Sequence, residues 1–201
     1  PPDEAATRKR LGIQPQKSII CFGSTHANEE EQILDALEPL WGTLDANIII
    51  APRHIKRVAE IEKLLHSRNL DYCKLSETGN TARSIILVDT MGELRNLYAI
   101  SSLAFVGGSL QPVVGPNLLE PAATGTAILT GPHLHNCADI ARRLREAEAM
   151  RIVDDAGGLA DALQALFADE PAPLLLASPS SLFLVSFRLA LSRTVTLIEP
   201  A

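Results

Sequence analysis

Aromatic residues make up only 4% of this 201-residue chain, so any core it builds is aliphatic. Cysteine is nearly as scarce. Cys21, Cys73 and Cys137 are odd in number and far apart, which argues against a disulfide framework or a zinc knuckle and points to a reducing compartment. Positive charge is in deficit: the formal net charge is -6, and no basic excess exists to suit a general nucleic-acid binder. Long apolar runs are missing too. The most apolar stretch of the tail, Leu182 to Leu191, is broken by Ser186 and Arg188 and falls short of the ~20 residues a membrane-spanning helix needs. There is no Walker loop, dinucleotide fingerprint, nucleophile elbow or repeat of fixed period. His133 and His135 have no acidic or cysteine partner at ligand spacing, so no metal is expected. The first ten residues lack the apolar segment of a signal peptide, and a start at Pro1 rather than Met is expected of a fragment.

What the chain does have is 46% hydrophobic residues, enough for the core of one domain. Residues 1–16, rich in proline and mixed charge, read as an interdomain linker. Short apolar runs at Ser18 to Phe22, Asn47 to Ala51, Tyr72 to Leu75, Ile85 to Val88, Leu103 to Val106, Thr126 to Thr130 and Arg151 to Val153 read as buried strands. Between them lie segments of helical spacing, such as Ile33, Leu34, Leu37 and Leu40, or Ile55, Val58, Ile61, Leu64 and Leu65. Asn28 and Glu31 have capping-box spacing, and Asn117 is placed to cap a helix with Glu120 in its first turn. Strands alternating with helices predict an α/β domain over 17–169, Rossmann-like, with a mostly parallel sheet and helices on both faces. Residues 170–201 form an atypical apolar tail, rich in Leu and Ser.

The loops that follow these strands carry the unusual polar residues: Ser24-Thr25-His26, Pro52-Arg53-His54, Asp89-Thr90-Met91-Gly92-Glu93 and the stretch from Gly107 to Glu120. In a parallel sheet all of them open on one edge, where α/β folds bind ligands. The types present suit a phosphorylated, hydroxyl-bearing ligand. Arg53 offers a fork for phosphate or carboxylate. Gly92 precedes a helix start that can present N–H groups to an anion. Glu120 can accept from two adjacent ribose hydroxyls. Gly107 and Gly108 allow close backbone approach. Each also has a plain structural reading, as a surface charge, a turn or a cap.

Six motifs then fall in a recognisable order: Gly23-Ser24-Thr25-His26 with Glu29-Glu30-Glu31, Ala51-Pro52-Arg53-His54, Asp89-Thr90-Met91-Gly92-Glu93-Leu94, Phe105-Val106-Gly107-Gly108-Ser109-Leu110, Asn117-Leu118-Leu119-Glu120 and Gly131-Pro132-His133. Over about Gly12 to Asp169 the chain resembles the 3-deoxy-D-manno-oct-2-ulosonic acid (Kdo) transferases, two-domain glycosyltransferases of GT-B type. The resemblance implies the C-terminal, donor-binding half. It implies CMP contacts from Pro52, Arg53, Met91, Gly92, Glu93, Asn117, Leu118, Leu119 and Glu120, and donor or acceptor contacts from Ser24, Thr25, His26, Gly107, Gly108 and Ser109. The donor would be CMP-Kdo, and the acceptor a lipid A precursor at the cytoplasmic face of the inner membrane or its organelle equivalent. The resemblance implies no metal and no cofactor. It puts the catalytic base in an N-terminal domain outside this sequence, which would also carry the acceptor surface and any membrane anchor. No catalytic residue is therefore expected here. The rival expectations are another sugar-nucleotide enzyme, such as a UDP-sugar transferase or epimerase, and a nucleotide-binding domain without turnover. One departure stands out. The segment Val114-Gly115-Pro116 before Asn117 lacks the polar residue the family carries there, and its proline is displaced.

Overall fold

The computed structural model describes residues 3–77, 84–113 and 115–167. The tail at 170–201 and the polar loop at 78–83 lie outside them. The sheet has seven strands, all parallel: β1 (Ser18–Thr25), β2 (Ala46–Pro52), β3 (Tyr72–Lys74), β4 (Ile85–Leu87), β5 (Leu103–Val106), β6 (Ala127–Thr130) and β7 (Met150–Ile152). Their order is β3-β4-β2-β1-β5-β6-β7. The chain thus places β2, β4 and β3 on one side of β1, with β4 inserted between β2 and β3, then returns to add β5, β6 and β7 on the other. That reversal makes the carboxyl ends of β1 and β5 the switch point of the sheet, the place where α/β folds bind ligands.

The expected Rossmann-like α/β class is the observed one. Its strands are buried on both faces, which is why they appear in the sequence as continuous apolar runs rather than alternating ones. Along β1, Ile20 and Phe22 face α2 (Glu29–Leu37), α3 (Val58–Ser67) and α7 (Ala156–Phe167) through Ile33, Leu34, Leu65 and Leu159. Ile19 and Cys21 point the other way, towards α1 (Glu4–Leu11) and α4 (Leu94–Ile100), meeting Leu11, Leu97 and Tyr98. Further along that second face, α5 (Leu119–Thr124) and α6 (Ala138–Glu146) cover Val106 and Ile128 with Leu118, Ala122, Ala141 and Leu144. No helix among the described residues is long and apolar enough to cross a membrane.

Two sequence expectations need correction. Residues 4–11, read as part of a linker, are helix α1. Asp3 caps it by accepting from the Ala6 N–H at 2.9 Å, and Gly12, at φ 67°, ends it. The helix has almost no apolar face, so its docking is polar. The Arg8 guanidinium donates to the carbonyls of Lys17 at 2.9 Å and Ile100 at 2.8 Å, while Leu11 closes over the core. Strand β1 also runs past its apolar stretch to Thr25, because the Gly23 backbone still pairs with both Ala51 and Val106.

Tyr98 is 1% exposed, and its hydroxyl has no hydrogen-bond partner among the described residues. Burial, with smaller contributions from Cys21 and Glu120, raises its pKa well above the ordinary range. The ring fits because position 23 is glycine: a Cβ there would lie 2.6 Å from Tyr98 Cζ. A buried hydroxyl that donates to nothing has lost its hydration without compensation. Tyr98→Phe is therefore expected to leave stability unchanged or raise it by up to about 2 kcal/mol. Gly23→Ala is expected to cost roughly 1–3 kcal/mol by overpacking. Urea denaturation of both variants checks this; a Tyr98→Phe variant destabilised by more than about 1 kcal/mol would show that the hydroxyl has a stabilising partner.

Candidate functional site

The loops at this edge are held by two buried carboxylates, Glu29 and Glu30. Strand β1 departs from regular pairing at Ser24, which adopts a left-handed backbone at φ 56° between the paired residues Gly23 and Thr25. The chain then reverses through His26, Ala27 and Asn28 into α2. The expected capping box does not form. Asn28 sits at φ 69° with no side-chain cap bond, and Glu31 is exposed. Instead Glu29 turns inward, wholly buried, and its Oε2 accepts from the N–H groups of His26 at 2.9 Å and Gly108 at 2.7 Å. Its Oε1 accepts from Ser109 at 2.9 Å and Leu110 at 3.0 Å. A carboxylate out of water is tolerable only when its acceptor capacity is used, and here donors from the loops after β1 and β5 use it.

Glu30 fills a parallel role towards α3. It accepts from the Thr25 hydroxyl at 2.7 Å and takes both arms of Arg57 at 2.5 and 3.1 Å. Burial opposes the charge on Arg57, but the Glu30 carboxylate outweighs it and holds the guanidinium above its ordinary range. The backbone N–H of Arg53 donates to the Thr25 carbonyl at 2.9 Å. Arg53 thus starts from the sheet edge with its side chain exposed, beside exposed His54. The rings of His26 and His54 meet edge to face at 6.1 Å.

The Gly-Gly-Ser turn is shaped by this packing. A Cβ on Gly107 would fall 2.7 Å from both the Ser24 oxygen and Thr25 Cα, so only glycine lets the two loops approach. Ser109 is wholly buried. Its hydroxyl donates to the Val106 carbonyl at 2.6 Å and accepts from the Gly131 N–H at 2.8 Å, and its carbonyl accepts from the His133 N–H at 3.0 Å. The loop after β6 is fixed through the same residue.

The remaining candidates lie on the loops that enter α4 and α5. Asp89 accepts from the Ser76 N–H and hydroxyl, closing the loop after β4. Met91 stands 80% exposed and Gly92 takes φ 80°. Glu93 is gripped by both arms of Arg10, at 3.1 and 2.7 Å. Asn117 is not the N-cap of α5 as expected: that position is Leu118, without a side-chain cap bond, and the Asn117 Oδ1 accepts from the Leu119 N–H at 3.3 Å from one residue earlier. Leu119 is 59% exposed and Glu120 half-buried.

The expected site residues thus lie at the carboxyl ends of parallel strands, on the loops that leave them, or at the start of α5, all on one edge of the sheet. Several are corrected in role. The Thr25 and Ser109 side chains are buried and hydrogen-bonded within the fold, so neither presents its hydroxyl to a ligand. The Gly108 and Ser109 N–H groups are taken by Glu29. Pro52 and Leu118 are buried, and the Leu118 side chain packs into the core. Ser24, His26, Arg53, Met91, Gly92, Glu93, Asn117, Leu119 and Glu120 retain exposed or partly exposed surface on this edge.

The residues that build the site, Glu29, Glu30, Arg57 and Arg10, carried no expectation of that role. A signal existed for the first two. Positions 29, 30, 33, 34 and 37 lie on one helical face, so these carboxylates continue the buried stripe of Ile33, Leu34 and Leu37. Arg57 and Arg10 had no such signal, because their partners are 27 and 83 residues away.

No protein-family model matches the chain. Among curated relatives, a bifunctional glycosyltransferase/methyltransferase from Fusobacterium nucleatum is 42% identical over 141 residues, covering 68% of this chain and 21% of the relative. A 3-deoxy-D-manno-octulosonic acid transferase from Haemophilus influenzae is 34% identical over 188 residues, covering 92% of this chain and 44% of the relative. The chain therefore spans less than half the length of these relatives. Among solved structures, the C-terminal CMP-Kdo binding domain of WaaA from Acinetobacter baumannii superposes with a TM-score of 0.81 at 30% identity, covering 94% of this chain and 96% of that one.

The Glu29 network yields a stability prediction. Glu29→Gln is expected to destabilise the fold by roughly 2–4 kcal/mol, since an amide cannot accept from donors on both of its ends. Glu31→Gln, at an exposed position of the same turn, is expected to change stability by less than about 0.5 kcal/mol. Equal midpoints for the two variants in urea would mean that the buried carboxylate does not organise the loops.

Proposed function

The chain belongs to the 3-deoxy-D-manno-octulosonic acid transferase family, as its C-terminal domain, and on that premise we propose that its carboxyl edge binds the CMP moiety of CMP-Kdo. The observation that carries this reading is near-complete coverage, in both directions, of a domain named for CMP-Kdo binding, with the expected motifs falling together on one edge of the sheet.

The residues divide by chemistry. Arg53, exposed on a backbone pinned to the end of β1, supplies a planar fork for the phosphate. Glu120, at the start of α5, accepts from the ribose hydroxyls. Asn117 supports that helix start. The loop from Met91 to Glu93 meets the nucleoside, and Leu118 contributes backbone alone because its side chain is core. As the glycosidic bond to Kdo breaks, negative charge grows on the departing CMP phosphate. A preorganised cation there stabilises the transition state more than the ground state. The N–H groups of Gly108, Ser109 and Leu110 are engaged by Glu29 and do not serve here, and Arg53 is an exposed cation placed to do so.

In the full-length protein this domain would supply the donor, while an N-terminal domain supplies the catalytic base and the lipid A precursor. The transfer would occur at the cytoplasmic face of the inner membrane without a metal or other cofactor. By this account the present chain binds donor without turnover.

Isothermal titration with CMP tests the reading. Measurable heat is expected, and CMP at a hundred times its dissociation constant adds about 2.7 kcal/mol of stability. Glu120→Gln is expected to weaken CMP by roughly 1–3 kcal/mol with little effect on folding. Arg53→Lys and Arg53→Ala are expected to weaken CMP while leaving the much weaker affinity for cytidine unchanged, with Lys retaining charge but not the fork. No heat and no thermal shift at millimolar CMP would refute the proposal; equal CMP affinity in wild type and both Arg53 variants would refute the phosphate assignment.

A further inference from the structure

Helix α1 reaches the nucleotide edge through one side chain. The Arg10 guanidinium binds Glu93 in parallel, Nη1 to Oε1 at 3.1 Å and Nη2 to Oε2 at 2.7 Å, across 83 residues of sequence. Both side chains are partly exposed, 43% and 22%, so the pair adds little to folding stability. Its geometric effect is larger. A two-armed grip fixes the plane of a carboxylate that otherwise rotates freely, and it cancels a negative charge on an edge that must accept a phosphorylated ligand. Each carboxylate oxygen has a second lone pair beyond the one that Arg10 engages.

We propose that Arg10 is a positioning residue that holds Glu93 as a fixed acceptor for the exocyclic amine of the cytosine base, and that the pair discriminates cytidine from uridine nucleotides. The inference rests on the reading of this edge as a nucleotide site. Within that site, Arg53 is suited to the phosphate and Glu120 to the ribose hydroxyls. The base amine is a further donor on CMP, and Glu93, a partly exposed carboxylate at the start of α4 beside α5, is placed on the edge to accept from it. The two helices pack against one another. Uracil presents a carbonyl oxygen where cytosine presents its amine. Against a fixed carboxylate that oxygen meets repulsion and no hydrogen bond, and a site built for a donor penalises the analogue that lacks it. A carboxylate free to turn away would discriminate less.

The test is a set of CMP and UMP titrations on this chain as wild type, Arg10→Ala, Arg10→Lys, Glu93→Gln and the Arg10→Ala/Glu93→Gln double variant, with a melting curve for each. Wild type is expected to prefer CMP over UMP by about tenfold or more. Arg10→Ala and Glu93→Gln are each expected to weaken CMP by about fivefold to tenfold while moving UMP by less than about twofold. Arg10→Lys, which keeps the charge but not the fork, is expected to fall between wild type and Ala. The double variant should bind CMP as Glu93→Gln does, because Arg10 acts only through Glu93. Melting temperatures should be unchanged throughout. Loss of CMP and UMP affinity in equal measure, additive losses in the double variant, or an Arg10→Ala variant that binds CMP normally would each overturn the inference while leaving the nucleotide site intact. Wild-type protein that binds neither nucleotide would instead remove the site on which the inference stands.

Discussion

A wholly buried carboxylate, Glu29, sets the shape of the edge on which this domain would work. Its two oxygens accept from the backbone N–H groups of His26, Gly108, Ser109 and Leu110. Those donors belong to the loops after β1 and β5, the two strands that flank the switch point. Once Glu29 takes up that position, much else follows. Residue 107 must be glycine to pass Ser24 and Thr25, and residue 131 must be glycine to pass Ser109. The loops of this edge are thus held in place by hydrogen bonds within the fold.

The polar residues of the edge separate into two populations. Glu29, Glu30, Arg57, Thr25 and Ser109 satisfy one another or the backbone, and they hold loops in place. Arg53, Glu93, Asn117 and Glu120 lie on the outer side of those loops and keep solvent-facing surface. The first group determines stability and the second is free to meet a ligand. The separation has a physical basis. A group that must hold a buried turn cannot also exchange its partner for a substrate without exposing the donors it satisfied.

The sequence made the frame legible because parallel strands buried on both faces are unbroken apolar runs. Leu103–Val106 and its neighbours stood at or close to the expected positions. The placement of the loops followed from the parallel sheet alone. What the sequence hid were interactions whose partners are distant. Helix α1 looked like part of a linker because its surroundings are rich in proline and mixed charge, and its docking relies on Arg8 reaching the Ile100 carbonyl 92 residues away. Glu29 and Glu30 looked like a helix start favoured by the dipole. Only the loop 79 to 81 residues further on shows why Glu29 turns inward. Thr25 and Ser109 looked available to a ligand for the same reason: a hydroxyl's partner is not written beside it.

The central claim is that a Glu29-pinned edge is the nucleotide site, and amide spectra of the labelled chain, recorded during hydrogen exchange with and without CMP, test it most directly. The account predicts that the amides of Gly108, Ser109 and Leu110 are strongly protected in the free chain and stay so. It also predicts that CMP shifts resonances at Arg53, Met91 to Glu93 and Asn117 to Glu120. Rapid exchange at the three Glu29-bound amides would contradict the account, as would CMP-induced shifts centred on the opposite edge near Asp45 and Ser84.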